Sequence, residues 1–439
     1  MKKDYILYAL VSLALLALAA CAPPATSAPA ATSVPGAQQP SAVKPVQLTD
    51  GKLVLAVIND QSGVYADLGG KNVVEAVKMA VEDFKAKYGE NALGGAIEVI
   101  SADHQNKADV ASSKAQEFYD RNSADLILDV PTSSAALAIA GVAKDKKRMY
   151  INVSGASSEL TEGTTGQLKG VCNKYTFHYA YDTYMLALGT ATYVTKNVGK
   201  KWYMVYPNYA FGQDMDRSFR KVIEANGGSI VASDPSPFPN DTGDFSSFLL
   251  KVPTLKPDVV GLMNAGVDLQ NAIKQYNEFK LKDKGFPLAI GLLFDTDIKS
   301  LGSDAIAGVV YTTPWLWAMD DQSRAWADKF QKRVGSRPTF AHAGNYSAAW
   351  NYMEAVRAAR TDDADAIVKQ LEGSKINDFF IRNGTVRAKD HLVIHDVLQA
   401  QVKPASEVKE PGDYSKILGI VPAAQAFRPE ADSTCAMGG

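Results

Sequence analysis

The sequence predicts an α/β fold of two Rossmann-like lobes with mostly parallel sheets, and three observations carry that prediction. Short apolar runs rich in β-branched residues recur along the chain, each followed by a polar loop and then by apolar residues at helical spacing. These strand–loop–helix units come in two consecutive series, which implies two similar lobes with right-handed crossovers. About 390 of the 439 residues follow Leu48, too many for one core and suited to two.

The first unit is the clearest. Residues 53–58 are six apolar residues, half of them β-branched, as expected of a strand buried on both faces. Asn59-Asp60-Gln61-Ser62-Gly63 is a polar turn. After Gly69-Gly70, residues Val73, Val74, Val77, Ala80, Val81 and Phe84 fall on one helical face. Ligands of open α/β sheets sit outside the carboxyl ends of the strands, so residues 60–67 form a candidate pocket wall.

Strands are expected at 96–101, 125–130 and 148–153 in the first series. In the second they are expected at 201–206, near Ile230, at 258–263 and at 288–294. Helices are expected at 110–121, from Ser134 to Ala143, at 182–196, after Gly212, near Phe245 and at 268–279. A long helix follows at 341–360, and 384–391 with 395–402 reads as a hairpin. The chain then crosses between lobes more than once, through a multi-crossing hinge. The expected N-lobe is 49–174 plus 312–376; the expected C-lobe is 175–311 plus 377–439, tail included.

The start of the chain differs in kind. Met1-Lys2-Lys3, an apolar core to Ala20 and small residues before Cys21 read as an export signal over 1–21, too short for a membrane span. Leu18-Ala19-Ala20-Cys21 resembles the bacterial lipobox, which implies lipid on Cys21. Residues 22–48, rich in Ala, Pro, Ser and Thr, read as a disordered tether.

Composition excludes several classes. Hydrophobic residues at 46% and charged residues at 21% are those of a globular protein, and the net charge of −2 points to neither nucleic acid nor a polybasic membrane patch. Five histidines without metal-type spacing argue against zinc, and neither metal nor cofactor is expected. Of three cysteines, Cys172 and Cys435 remain if Cys21 carries lipid, and in an exported chain these two can pair. The chain has no Gly-x-Ser-x-Gly elbow, phosphate loop or His-Glu-x-x-His, and His178 is the only base near the serines of 154–158 in sequence, so catalysis is not expected.

In order along the chain stand Asp60-Gln-Ser-Gly-Val-Tyr65, Asp103-His-Gln-Asn-Lys107, Pro131-Thr-Ser-Ser134, Gly155-Ala-Ser-Ser158, Asn264-Ala-Gly266, Ala343-Gly-Asn-Tyr-Ser347 and Asp378-Phe-Phe380. With them the chain resembles the type I solute-binding proteins of ABC importers, the Leu/Ile/Val-binding group. The segments 178–184 and 207–212 and the cysteine-bearing tail are similar to the aromatic-acid branch. Asn208 stands where that branch carries an acid, and Tyr179 where it carries an indole. The resemblance implies a two-lobed lipoprotein, periplasmic or on the cell surface. It would close on a small carboxylate-bearing ligand, a branched-chain amino acid or an aromatic acid, and deliver it to an ABC permease as a monomer. The alternative is a sensor of the same fold that signals ligand occupancy to a membrane partner.

The chemistry of the loops agrees. Thr132, Ser133 and Ser134 open a helix, whose free N–H groups and dipole suit a carboxylate; Ala156 and Ser157 have the same logic at the next strand end. One of these serines is also expected to cap its helix. Aromatic residues gather in loops, at Tyr65, Tyr181, Tyr184, Tyr209, Phe211, Trp315 and Trp317, as an apolar pocket or as lobe packing would require. Ser62 and Asn264 sit beside them. Asp268 either pairs with a ligand ammonium, as the resemblance implies, or is the N-cap of its helix.

Overall fold

A computed structural model describes residues 45–165 and 168–437. The expected signal, Cys21 and all but the last four residues of the tether lie outside the described residues. Among the described residues, no helix is long and apolar enough to cross a membrane.

Strand β1 (Lys52–Asn59) is followed by α1 (Gly70–Tyr88), β2 (Ala96–Asp103), α2 (Ala108–Arg121), β3 (Leu126–Asp129), α3 (Ser133–Lys146), β4 (Met149–Asn152) and β5 (Thr176–His178). The five strands form one parallel sheet in the order β2-β1-β3-β4-β5. From Leu53 to Asn59 every residue of β1 is buried, because helices cover both faces; this is why the strand reads as an unbroken apolar run.

The chain then passes through α4 (Thr183–Asn197) to a second parallel sheet. Its strands are β6 (Lys201–Pro207), β7 (Ser229–Ser236), β8 (Val259–Leu262) and β9 (Leu288–Ile290), in the order β9-β8-β6-β7. The helices beside them include α5 (Ala210–Ala225), α6 (Gly266–Glu278) and α7 (Asp295–Leu301). Strand β10 (Val310–Thr313) leads back to the first side, where α8 (Asp321–Val334) and α9 (Phe340–Ala359) lie. There Tyr346 of α9 donates to Asp83 of α1 at 2.8 Å, and Trp350 meets the ring of Phe84 at 5.5 Å.

The 384–402 region differs from the expected hairpin. Gly384–Val386 pairs with Val393–Ile394, but Val397–Val402 turns away and pairs with Val310–Thr313 and with Ser415–Val421 in an antiparallel sheet. His178 of β5 donates its N–H to the His391 carbonyl at 3.0 Å, so the small sheet around residue 385 belongs to the first side. The chain therefore crosses at 179–182, 314–320 and 395–396. The boundaries expected at 174/175 and 376/377 fall before the strands Thr176–His178 and Val393–Ile394, and the one expected at 311/312 falls inside Val310–Thr313. Those strands are two to four residues long, too short for periodicity to register.

Cys172 and Cys435 are joined by a disulfide with Cα atoms 5.9 Å apart. It fastens the C-terminal tail to the first side, where Arg428 also pairs with the buried Glu162 and the Thr434 N–H donates to Glu162 at 3.1 Å.

Candidate functional site

Each parallel sheet has a point where its strand order reverses: between β1 and β3 in the first, between β6 and β8 in the second. A crevice opens there at the carboxyl ends of the strands. The residues that follow are Asp60, Val130-Pro131, Asn208-Tyr209 and Met263-Asn264, and the two crevices meet.

On the first side, the turn after β1 is built on Asp60. Its buried carboxylate accepts from the N–H groups of Ser62, Gly63 and Tyr65 at 3.2, 2.7 and 2.8 Å and from Asn106 Nδ2 at 2.6 Å. Gly63 is required here, since a Cβ would stand 2.5 Å from Asn106 Nδ2. After β3 the backbone is strained. Asp129 and Val130 have φ of +82° and +68°, a left-handed conformation that a β-branched residue rarely adopts. Asp129 is held there by Ser154 Oγ and by Asn345 Nδ2 at 2.9 Å, and burial pushes its carboxyl up to about 6.

The second side meets it directly. The hydroxyls of Tyr65 and Tyr209 are 2.7 Å apart, and burial raises both well above the ordinary tyrosine range. Phe238 stacks on Tyr209 at 3.9 Å and on Tyr65 at 5.6 Å. The Val267 N–H donates to the Val64 carbonyl at 3.3 Å across the seam. Gly266, at φ +59°, allows that approach, because a Cβ would lie 2.4 Å from the Val64 oxygen. Tyr65, Leu68, Pro131, Ser154, Ala156, Tyr181, Tyr209, Phe211, Ala265 and Leu292 enclose a remaining space of about 10 Å³, room for one water at most. The two sides are closed on each other, and no lysine or arginine lines the space.

Residues 52–407 match the model of a family described as periplasmic binding protein. The chain belongs to that family. A periplasmic binding protein from Burkholderia mallei is 40% identical to this chain, superposes with a TM-score of 0.82, and is matched over 88% of this chain and 99% of that one. A branched chain amino acid ABC transporter periplasmic ligand-binding protein from Burkholderia xenovorans LB400 is 35% identical over the same shares, with a TM-score of 0.76. An ABC transporter solute-binding protein from R. palustris in complex with benzoate is 20% identical over 88% of this chain and 99% of that one. Its TM-score of 0.75 shows the same fold.

In this periplasmic binding protein the expected residues divide into those around the closed space and those with other partners. Tyr65, Ala156, Tyr181, Tyr209 and Phe211 enclose it. Tyr181 is fixed by a 2.7 Å bond to the Ser154 carbonyl and packs edge-on against Phe340 at 5.0 Å. Ser62 is exposed, its hydroxyl donating to Asp103 at 2.6 Å. Thr132, not a serine, is the N-cap of α3, with its hydroxyl turned to Asn106 rather than to the helix. Ser133 Oγ accepts from the Ser157 N–H at 3.2 Å and ties the two loops together; Ser134 is half-buried in the first turn.

Residues 155–158 do not open an α-helix. They enter a single 3-10 turn, Ser158–Thr161, and its donors are already taken. Asp214 of α5 accepts from the Ser158 N–H at 2.6 Å, from Ser157 Oγ at 3.2 Å and from Thr183 Oγ1 at 2.5 Å. A carboxylate of the second side thus occupies the place expected for a ligand carboxylate. The signal was present in sequence: Asp214 falls on the buried face of α5 with Phe211, Met215, Phe219 and Val222.

Asn264 Nδ2 donates to Ser236 Oγ at 3.0 Å, and its Oδ1 is buried with no partner among the described residues. Asp268 is not an N-cap, since α6 starts at Gly266 behind Ala265. Its Oδ2 accepts from the Asn240 N–H at 3.3 Å, its Oδ1 is buried and unpartnered, and burial pushes it up to about 6. Tyr184, Trp315 and Trp317 serve packing: Trp315 lies among Trp326, Phe379 and Phe380, and Trp317 under Arg337. His178, the base nearest the serines, donates Nε2–H to the Gly155 carbonyl at 2.8 Å, and burial lowers it to about 4.

Proposed function

We propose that this chain is the exported solute-binding component of an ABC importer, capturing a small carboxylate-bearing molecule by closure of its two sides and handing it unchanged to a permease. The observation that supports this most is the meeting of the two sheet reversal points in one aromatic-lined space, with Pro131, two residues before α3, in its wall. A closed empty form leaves no room for ten heavy atoms, so Tyr65 and Tyr209 swing aside to admit a ligand. The ligand carboxylate then lies at residues 132–134, where the dipole and donors of the α3 start act without a cation. Its apolar body contributes about 25 cal/mol per Å² buried against Tyr181 and Phe211.

The far end selects the ligand class. The orphaned oxygens of Asn264 and Asp268 call for a donor, and no cation lines the space. This favours a branched-chain or aromatic amino acid over a plain aromatic acid. Cys21 carries the lipid anchor, the protein works as a monomer in the periplasm or at the cell surface, and nucleic acid is no partner.

Thermal denaturation of the chain with leucine, valine, amides, benzoate and hydroxycinnamates tests the reading. A ligand at 100 times its Kd stabilises by about 2.7 kcal/mol. The amino acids are expected to raise Tm, and Tyr65→Ala and Phe211→Ala to abolish the rise. A panel without effect would defeat the proposal. Mass spectrometry of the mature N-terminus tests the anchor, and an unmodified terminus elsewhere than Cys21 would exclude it.

A further inference from the structure

A second cavity, of about 330 Å³, lies on the outer side of the molecule, away from the closed space. Its walls come from both sides of the second crossing. Loop 403–414 and the strand Ser415–Val421 supply one; residues 316–318 and Arg324 of α8 supply the other. Glu410 of the loop bonds Arg324 at 3.3 Å and Arg337 at 3.0 Å. Trp317 is fixed between them, its Nε1–H donating to the Gly412 carbonyl at 2.8 Å. The volume is at the lower end of that of small-molecule pockets and suits a molecule the size of an amino acid or dipeptide.

The cavity is electrically divided. Asp295 and Asp413 line it together, and the one ammonium bonded to this pair among the described residues, that of Lys403, meets Asp413 at 2.6 Å. The Asp295 carboxylate receives no hydrogen bond among the described residues, and burial beside Asp297 and Asp413 pushes it up to about 7. At the open end the excess is positive. Lys409 and Lys416 are exposed, and among the described residues neither ammonium has an ion-pair partner, while Glu410 is already shared by two arginines. Ile417 supplies an exposed apolar face to the wall, with the buried Leu316 and Trp317 behind it. Ile417 begins an exposed apolar strip with Leu418 and Ile420.

We propose that this outer cavity is a second binding site, for a small zwitterion whose ammonium meets Asp295, whose apolar part covers Ile417 close to the buried Trp317, and whose carboxylate faces Lys409 and Lys416. A lone amine would meet the excess of cations at the mouth, and a lone acid would leave Asp295 unpaired. This site stands apart from the inner space and does not depend on the function proposed for it.

The experiment is a titration of the full chain followed by the indole N–H signals of its five tryptophans, with Trp317 assigned through Trp317→Phe. The probes are leucine, phenylalanine and leucylglycine, with isoamylamine and 4-methylvalerate as half-molecules. The zwitterions are expected to shift the Trp317 signal saturably. Asp295→Asn should weaken that response about tenfold or more, the loss of a charge-assisted bond. The double variant Lys409→Gln, Lys416→Gln should weaken it less, and Tyr65→Ala should leave it unchanged. The proposal is overturned if Trp317 does not respond, if Asp295→Asn responds like the parent, if either half-molecule binds as well as the zwitterions, or if Tyr65→Ala abolishes the response. That last result would assign the effect to the inner space.

Discussion

The two walls of the inner space are built to different rules. On the first side the turns are tied by their own polar groups: Asp60 closes its own turn, and Ser133 binds the Ser157 N–H. Ser154 and Asn345 hold Asp129 in a strained backbone. On the second side Asn264 and Asp268, which flank the lining residue Ala265, each bury an oxygen without a donor among the described residues, behind a wall of rings. A buried acceptor left unpaired costs about 1–3 kcal/mol; on the second side two such oxygens stand close together in sequence, while on the first side Asn345 Oδ1 is left without a donor among the described residues behind the Asp129 turn. The first wall is a rigid template, and the second supplies the unsatisfied end that an incoming donor completes. The two walls are joined by the protein's own bonds, Tyr65 to Tyr209 and Val267 to Val64.

If the first wall is rigid because of Asp60, Asp60→Ala should be the most damaging change at the site. It strands three backbone N–H groups and Asn106, and roughly 3–4 kcal/mol of stability should be lost. Urea denaturation measures this. A loss under about 1 kcal/mol would mean that water replaces the carboxylate and that the wall is not preorganised.

The seam comes next. Gly266→Ala keeps both walls but puts a methyl group against the Val64 carbonyl at a positive φ. The variant is expected to stay folded and remain open at saturating ligand. Affinity should fall on the order of 100-fold, since the ligand is held by one wall instead of two. Small-angle scattering with and without ligand checks it, and parent-like compaction would show that closure does not use this seam.

Asp268 sets the chemistry of the second wall, and pH separates the ligand classes. Its carboxyl is raised to about 6 in the empty protein, so it is mostly neutral near pH 5 and mostly charged near pH 7. A ligand ammonium selects the charged form, and affinity should rise about tenfold over that interval, then level off. A ligand with a carboxylate and no ammonium should show the reverse sign. Asp268→Asn should flatten either profile, and calorimetry across the range decides.

How much of this was legible depended on locality. The units 52–84 and 201–225 are readable because strands covered on both faces need continuous apolar runs and their helices need one apolar face. The aromatic residues of the inner space were legible as rings in loops. Contacts between distant segments were not. Nothing near residue 157 announces that Asp214 of another helix will take its donors, and nothing near Tyr65 announces Phe238. Val130 at a positive φ runs against its own propensity, so local preference points away from it. The small sheet around 376–394 was not legible because its strands are two or three residues long and pair across up to ten residues.

The smallest effect tests how the walls part. Tyr65→Phe removes one hydroxyl and keeps the ring that stacks near Phe238. The lost bond is worth about 0.5–1.5 kcal/mol. About 10 Å³ remains while that bond stands, so a ligand cannot enter without breaking it. The bond therefore stabilises the empty closed form alone, and its removal should tighten ligand binding by roughly two- to tenfold. Calorimetry on the variant gives the sign. Weaker binding would show that the Tyr65 hydroxyl moves from Tyr209 to the ligand and that the first wall contributes a specific polar contact; tighter binding leaves it the role of a latch.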